Sequence, residues 1–556
     1  MAFDSRPIEW SWTLILSVLL VVGVVTISLF GQYLMGPPNI HSARALVMLL
    51  EVSGLILWLV NKPQALLVGA SMAIRLCGVL LLVTGTAGVF FAAHNWGAAI
   101  IGQIEWIAHF LVLVALVDVY ARGRLSLEGV LLGICVAGLL AISFFAFRWI
   151  QMENPADFNW FWGAYPFLHI RHFAFLILPA AISAFYFAVS AERIAKCFGI
   201  VSMTVLLAAL FWAGGRASVG AALIALLVGL LFVATTAHRG SFFKLLLQVL
   251  IVTSAAAAIS ELFSVNHPGM GLSFNHGREV ADTVDAVSSG RLSIWFSVVD
   301  NMTWQQWLFG HGVDNYRYLP NRYDETVHPH SWFFQALSAW GALAAVVLVG
   351  GLWALTLRVI YMQFRIKDRS KPNDLLFFSG LILLSYLVLS LVDGNFYHSW
   401  GVLLLLPLLA ACFCNFYRIS ATTAQSKSLA SGWLYGVAAI IVAVVVQIVN
   451  VTTIFRGSVP APNDWRSQVV LAVPYNTILV ANWLEPWQQV DQNEMLRLLR
   501  WLQTYSADKY RFMLIESEML LQEGYKEASL NMYEKAVNSA PARAKKKLIE
   551  LGPPEL

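Results

Sequence analysis

Apolar residues along this chain come in runs of about twenty, separated by short polar links that carry most of the basic residues. A run of that length is what an α-helix needs to cross the hydrocarbon core of a bilayer. About thirteen such runs can be marked, near 11–30, 45–61, 65–92, 97–120, 126–147, 172–190, 197–213, 217–236, 246–262, 331–357, 374–392, 399–417 and 431–453. The third and tenth exceed one crossing, which predicts tilt, a break or continuation beyond the membrane. The first is too long for a signal-peptide core and reads as a span. The pattern predicts an all-α polytopic membrane protein with two interruptions. One is a long polar interval over about 263–330. The other begins near residue 454, after which no further span occurs. Residues 492–505 there repeat at helical period through Met495, Leu496, Leu498, Leu499 and Leu502, and 508–523 and 525–539 read as two more helices. After Gly524 and Tyr525, the spacing of Tyr533, Ala536 and Pro541 is that of a tetratricopeptide second helix, with Ser529 where that repeat usually has Ala. The chain divides into a membrane domain, 1–454, and a small helical region, 455–556.

Composition agrees: 58% of residues are hydrophobic and 12% charged, unlike a soluble domain. Charge adds orientation. With thirteen spans, Arg6, Arg122, Arg124, Arg193, Lys196, Arg239, Lys244, Arg365, Lys367, Arg369, Lys371, Arg418 and Lys427 fall on one side, which the positive-inside rule assigns to the cytoplasm. The loops at 149–171, 214–216 and 263–330 and the C-terminal region then face outward. The net charge of +4 reflects this topology and predicts no nucleic-acid surface. All five cysteines lie in or next to spans, so no disulfide framework is expected, and Cys412-x-Cys414 alone is a poor metal signal.

The outward side also holds the candidate chemistry. His330 stands where the long loop meets a span, and histidine exchanges a proton near neutral pH. Arg216 lies in the tight Ala213-Gly-Gly-Arg216 link, and Arg291 opens an amphipathic segment, Gly290-Arg-Leu-Ser-Ile-Trp295. Each arginine alone fits an interfacial anchor or an ordinary loop residue. Together, two forked cations and a base at a lipid surface fit chemistry on a membrane-anchored diphosphate. His169, Arg171 and His172, at the outer start of the sixth span, either line the same cavity or cap a helix. The Asp393–His398 link reads as a polar turn, and Trp160, Trp162 and Tyr165 as an interfacial aromatic belt. His267 and His276 lack metal-ligand spacing and receive no role. There is no Walker loop, dinucleotide fingerprint or zinc motif, which weakens a pump, and no paired repeat, which weakens a transporter.

His330-Ser331 followed by nine residues and Gly341, together with Gly290-Arg291-Leu-x-x-Trp295, Leu308-Phe-Gly-x-Gly312 and Arg216, resembles the superfamily of O-antigen ligases, O-antigen polymerases and bacterial protein O-oligosaccharyltransferases. The likeness covers about 170–420. It implies an inner-membrane glycosyltransferase with its active site in the periplasm, needing no cofactor or metal. Arg216 and Arg291 would hold the diphosphate of an undecaprenyl-diphosphate-linked glycan, and His330 would activate the acceptor. Protein-glycosylating relatives often carry Asn in the segment corresponding to 169–172, and none stands here. The region from Ala481-Asn-Trp-Leu484 through Tyr525–Pro541 is similar to the C-terminal part of protein O-oligosaccharyltransferases. It points to Ser or Thr of a periplasmic protein such as a pilin as acceptor, ahead of lipid A–core ligation or polymerisation. A non-enzymatic flippase for lipid-linked glycans is the alternative from another class, and it would leave His330 dispensable.

Overall fold

The computed structural model describes residues 11–34, 40–60, 72–190, 192–235, 239–267, 269–272, 290–319, 322–323, 326–366, 371–417, 429–455 and 459–553. Arg6, His276, Lys367, Arg369, Arg418, Lys427 and the first part of the third predicted span lie outside them. The described residues form helices and connecting turns, with no strand among them.

The membrane part consists of α1 (Trp12–Phe30), α2 (Ile40–Val60), α3 (Met72–Phe91), α4 (Trp96–Ala121), α5 (Leu127–Gln151), α6 (Ile170–Ala188), α7 (Arg193–Trp212), α8 (Arg216–Ala234), α9 (Arg239–Leu262), α12 (Trp332–Arg365), α13 (Lys371–Ser390), α14 (Ser399–Tyr417) and α15 (Leu429–Phe455). Between α9 and α12 lie two short helices, α10 (Arg291–Asp300) and α11 (Trp304–Phe309). Among the described residues twelve helices are long and apolar enough to cross a membrane, so this is an integral membrane protein. The thirteenth, α3, has a shorter apolar stretch, Leu76–Phe91. Burial sorts the helices. α6 and α13 are 89% buried over their apolar windows and form the centre, whereas α9 is only 17% buried and presents its side chains outward. Small residues permit the close crossings: a Cβ on Gly199 would lie 2.1 Å from the Ala188 nitrogen, and one on Gly138 would lie 2.5 Å from Ala180 Cβ.

The long tenth span is broken, one of the three outcomes its length allows. α12 is interrupted at Gly341, whose φ of 83° and ψ of 176° are not helical. A Cβ there would sit 2.4 Å from the Leu308 carbonyl oxygen, and one on Gly310 would sit 2.4 Å from the Ala339 carbonyl carbon. Gly88 of α3 closes against the Phe309 oxygen at 2.8 Å by the same measure. The turn at 308–312 is thus wedged backbone to backbone into the break. That contact accounts for the distance between His330 and Gly341: it is the length of a first half-helix that starts at the loop and ends at the wedge.

The C-terminal helices are α16 (Trp465–Ala472), α17 (Thr477–Val480), α18 (Leu484–Val490), α19 (Gln492–Tyr505), α20 (Lys509–Gln522), α21 (Lys526–Ser539) and α22 (Ala542–Leu551). The predicted helices at 492–505, 508–523 and 525–539 correspond to α19, α20 and α21. Trp483, Trp487, Leu498, Leu499 and Leu502 make one small core. α20 and α21 close into a hairpin through reciprocal bonds: each of the Ser517 and Ser529 hydroxyls donates to the other's carbonyl, at 2.8 and 2.7 Å. The region also grips the segment before His330. Arg322, 3% exposed, pairs with Asp508 at 2.7 Å, and the Ala542 N–H donates to the Arg322 carbonyl at 3.0 Å.

Candidate active site

Three helices begin at one cavity, and each has an arginine in its first turn. Arg171 is the second residue of α6, Arg216 the first of α8, and Arg291 the first of α10. All three line an open cavity of about 820 Å³, together with Phe161, Gly214, Ser218 and Asp393. A helix N-terminus carries partial positive charge and unpaired N–H groups, so a basic residue in the first turn is unfavourable unless something negative is meant to sit there. Among the described residues that line it, Asp393 is the one carboxylate, against three guanidiniums. The cavity is a net cationic socket for an anion with several oxygens.

Local sequence fixes these positions. Gly214 has a φ of 67°, and a Cβ on it would lie 2.2 Å from the Gly269 carbonyl oxygen, so the link before Arg216 is threaded under the 269–271 turn. Gly290 holds a left-handed φ of 79° at the cap of α10. Burial, with Arg171 and Arg216 nearby, lowers the Arg291 pKa, although Asp393 works against this shift.

His330 is reached from the other side of Asp393. Its Nδ1 lies 3.8 Å from Asp393 Oδ1, within ion-pair reach and longer than a hydrogen bond. Its side chain is 24% exposed. Its φ of 51° is unusual for a residue with a Cβ. The surroundings hold that conformation: the His330 N–H donates to His328 Nδ1 at 3.2 Å, and Trp295 Nε1 donates to the Pro329 carbonyl at 2.8 Å. Trp295 also stacks on Phe334 at 5.1 Å, so the helix that begins with Arg291 is tied to both flanks of His330.

Burial tends to raise the Asp393 pKa, but His330, Arg171 and Arg291 prevail and hold it well below the usual carboxylate range. The neighbouring imidazoles go the other way. Burial, reinforced by His330, pushes His328 well below the ordinary histidine value, and burial with His172 and His328 does the same to His398. These two stay neutral at neutral pH, and His328 fits only because position 394 is glycine, where a Cβ would come within 2.1 Å of its ring.

Of the other expected residues, Arg171 lines the cavity, while His169 and His172 are not among its lining residues. His169 caps α6, its Nδ1 accepting from the Arg171 N–H at 3.0 Å, and it packs against Phe161 at 4.0 Å. Burial, with His172 and Arg171, lowers its pKa to about 2. His172 packs against His398 with ring centroids 3.9 Å apart and the planes tilted by 51°. Trp160 is fully buried and stacks on Trp149 at 5.7 Å, a core position and not the interfacial belt expected of it; Trp162 and Tyr165 are exposed.

Two features escape the sequence reading. Asp393, which reads as part of a polar turn, bridges the cationic cavity and His330. Arg44, near the start of α2, is 3% exposed and pairs with Asp314 at 2.5 and 3.0 Å and with Glu105 at 3.4 Å. Its guanidinium lies 4.7 Å over the Tyr397 ring, which in turn lies 4.7 Å from His328. An ionisable residue so close to an apolar run is the signal that could have flagged it.

Residues 200–349, just over a quarter of the chain, match the family described as O-Antigen ligase. The matched span holds Arg216, Arg291, His330 and Gly341, and it stops before Asp393. No curated protein matches the chain.

Proposed function

We propose that this chain is a glycosyltransferase of the bacterial inner membrane, facing the periplasm, that moves a glycan en bloc from an undecaprenyl-diphosphate carrier to a Ser or Thr hydroxyl of a periplasmic protein such as a pilin. The observation that carries the reading is the pairing of a three-arginine, three-helix-terminus cavity with a reachable histidine across one shared carboxylate. The acceptor oxygen attacks the anomeric carbon, and the bond from that carbon to the diphosphate oxygen breaks, its electron pair leaving with the diphosphate. Arg171, Arg216 and Arg291 take up the charge developing on the leaving group. His330 accepts the hydroxyl proton. Its Nδ1 faces Asp393, so an Nδ1–H tautomer leaves Nε2 as the base, and Asp393 stabilises the imidazolium that forms. The arginines supply the charge neutralisation that a divalent ion supplies elsewhere, so the reaction is proposed to be metal-independent.

The grip of the C-terminal helices on the segment before His330, through Arg322 and Asp508, favours a protein acceptor docked on residues 455–556 beside the site. The match to the O-Antigen ligase family favours a second reading, transfer to lipid A–core or polymerisation by the same chemistry. Co-expression with a lipid-linked glycan pathway and a pilin, followed by intact-mass measurement of the pilin, separates the two. One added glycan is expected on the pilin; an unmodified pilin with glycan on the lipopolysaccharide would favour ligation.

A further inference from the structure

Among the described residues, two other than glycine hold a left-handed φ: Asp314 at 58° and His330 at 51°. Such a backbone persists only where its surroundings over-determine it. Both positions lead to Arg44, a buried cation that the proposed chemistry does not use. At Asp314 the guanidinium fork is met in full, Nη1 and Nη2 donating to Oδ2 and Oδ1 at 2.5 and 3.0 Å. At His330 the link is one residue longer. The Arg44 guanidinium lies 4.7 Å over the Tyr397 ring, Tyr397 packs against His328 at 4.7 Å, and His328 Nδ1 accepts the His330 N–H. Arg44 Nε faces Glu105 at 3.4 Å, and Glu105 accepts from the hydroxyl of Ser399, the first residue of α14. These contacts reach both members of the His330–Asp393 pair. Asp314 belongs to the loop that runs on to His330, and Tyr397 to the link between α13 and α14 that carries Asp393. His328 sits against Gly394, the neighbour of Asp393. Arg44 itself comes from α2, which supplies none of the described residues lining the arginine cavity, and it lies outside the matched span 200–349.

We infer that Arg44 is a positioning residue for the transfer reaction: it fixes the His330 loop and the Asp393 link against one another and so sets the 3.8 Å separation across which the imidazolium is stabilised. The inference rests on the reading of His330 as the base. An ion pair that served stability alone would need one carboxylate. Arg44 instead takes two carboxylates and an aromatic face, from three separate segments, and two of those segments deliver the reacting pair. Only a planar fork can do this, since a lysine ammonium cannot meet both Asp314 oxygens while lying flat on Tyr397. A displacement of about 1 Å at a reacting pair can cost about a hundredfold in rate, so a residue that touches no substrate can still govern turnover.

The test is a double-mutant cycle with His330. Transfer is measured with purified protein, a defined undecaprenyl-diphosphate-linked glycan and whichever acceptor wild type modifies, pilin or lipid A–core. Arg44→Lys should lower kcat by about ten- to a hundredfold, with donor KM unchanged to within about twofold. Asp314→Asn keeps the side-chain shape and a residue type that tolerates the left-handed φ, and it should lower kcat in the same direction. It guards against a folding defect in the first variant, with thermal melting measured for both. In a His330→Ala background, where the base is already gone, each substitution should leave the residual rate unchanged to within about twofold. Glu51→Gln breaks another buried pair on α2, with His109, and should leave kcat unchanged. Normal kcat in both Arg44→Lys and Asp314→Asn would overturn the inference. So would a loss that persists in full without His330, a raised donor KM at normal kcat, or an equal loss in Glu51→Gln. Near-normal transfer by His330→Ala alone would instead overturn the base reading and this inference with it. Failure of wild type to modify either acceptor would overturn the transfer reading.

Discussion

Asp393→Asn is the most informative single change, because Asp393 belongs to two sites at once. The substitution keeps the shape and removes the charge. His330 becomes cationic only as it takes the acceptor proton, so the carboxylate stabilises the transition state more than the ground state. At the observed separation of 3.8 Å, the pair is worth about 1 kcal/mol at the dielectric of water and roughly 4 kcal/mol at an effective dielectric of 20. The side chains are 24% and 10% exposed, which places the value between these limits. At 1.36 kcal/mol per decade, kcat is expected to fall by roughly ten- to a thousandfold. Donor KM should fall or stay level. Without its carboxylate the cavity gains positive charge, and Arg171 and Arg291 lose an anion that competes with the diphosphate. The assay is steady-state transfer with the lipid-linked donor varied at saturating acceptor. A normal kcat with a raised KM would mean that Asp393 only orders the arginines, and the proton-transfer role given to the His330–Asp393 pair would be wrong.

Arg216→Lys and Arg291→Lys keep charge but lose the planar fork, and each is expected to raise donor KM and lower kcat/KM by about tenfold or more; full activity in both would reduce them to point charges. Gly341→Ala puts a Cβ 2.4 Å from the Leu308 oxygen at a backbone conformation that costs a residue with a side chain about 1–3 kcal/mol. It should lower the melting temperature and abolish transfer, and normal melting with full transfer would show that the wedge at 308–312 does not hold His330. Glu527→Cys, at an exposed position and with exposed Cys197 replaced by Ser, should react with an impermeant thiol reagent from the periplasmic side of intact spheroplasts. Labelling only after the membrane is opened would reverse the orientation.

Much of the fold can be read from the sequence because a bilayer imposes a length on every helix. The predicted spans at 126–147, 197–213 and 399–417 correspond to α5, α7 and α14 within a few residues, and the break in the tenth span is one of the three outcomes its excess length allows. The proposed positions of Arg216, Arg291 and His330 stand out for a related reason: polar residues at the edge of apolar runs are few. Asp393 does not stand out. In the sequence it is one polar residue in a short link, and its weight comes from α6, α10 and the His330 loop meeting there, segments that lie 222, 102 and 63 residues earlier in the chain at Arg171, Arg291 and His330. The pairing of Arg44 is hidden likewise, since its partners Glu105 and Asp314 sit on a different helix and on the loop. The C-terminal helices are legible as helices, but their grip on Arg322 is not, because a single buried ion pair between distant segments leaves no periodic trace.

The central claim is that His330 is the base for metal-independent transfer from a diphosphate-linked lipid. The most direct measurement uses purified protein, a defined undecaprenyl-diphosphate-linked glycan and a pilin acceptor in excess EDTA, read by the intact mass of the acceptor. Wild type should add one glycan per site. His330→Ala should be slower by about a hundred- to ten-thousandfold, the usual worth of a general base, with unchanged melting and donor binding. Near-normal transfer by that variant, or wild-type activity that disappears in EDTA and returns with magnesium, would contradict the account.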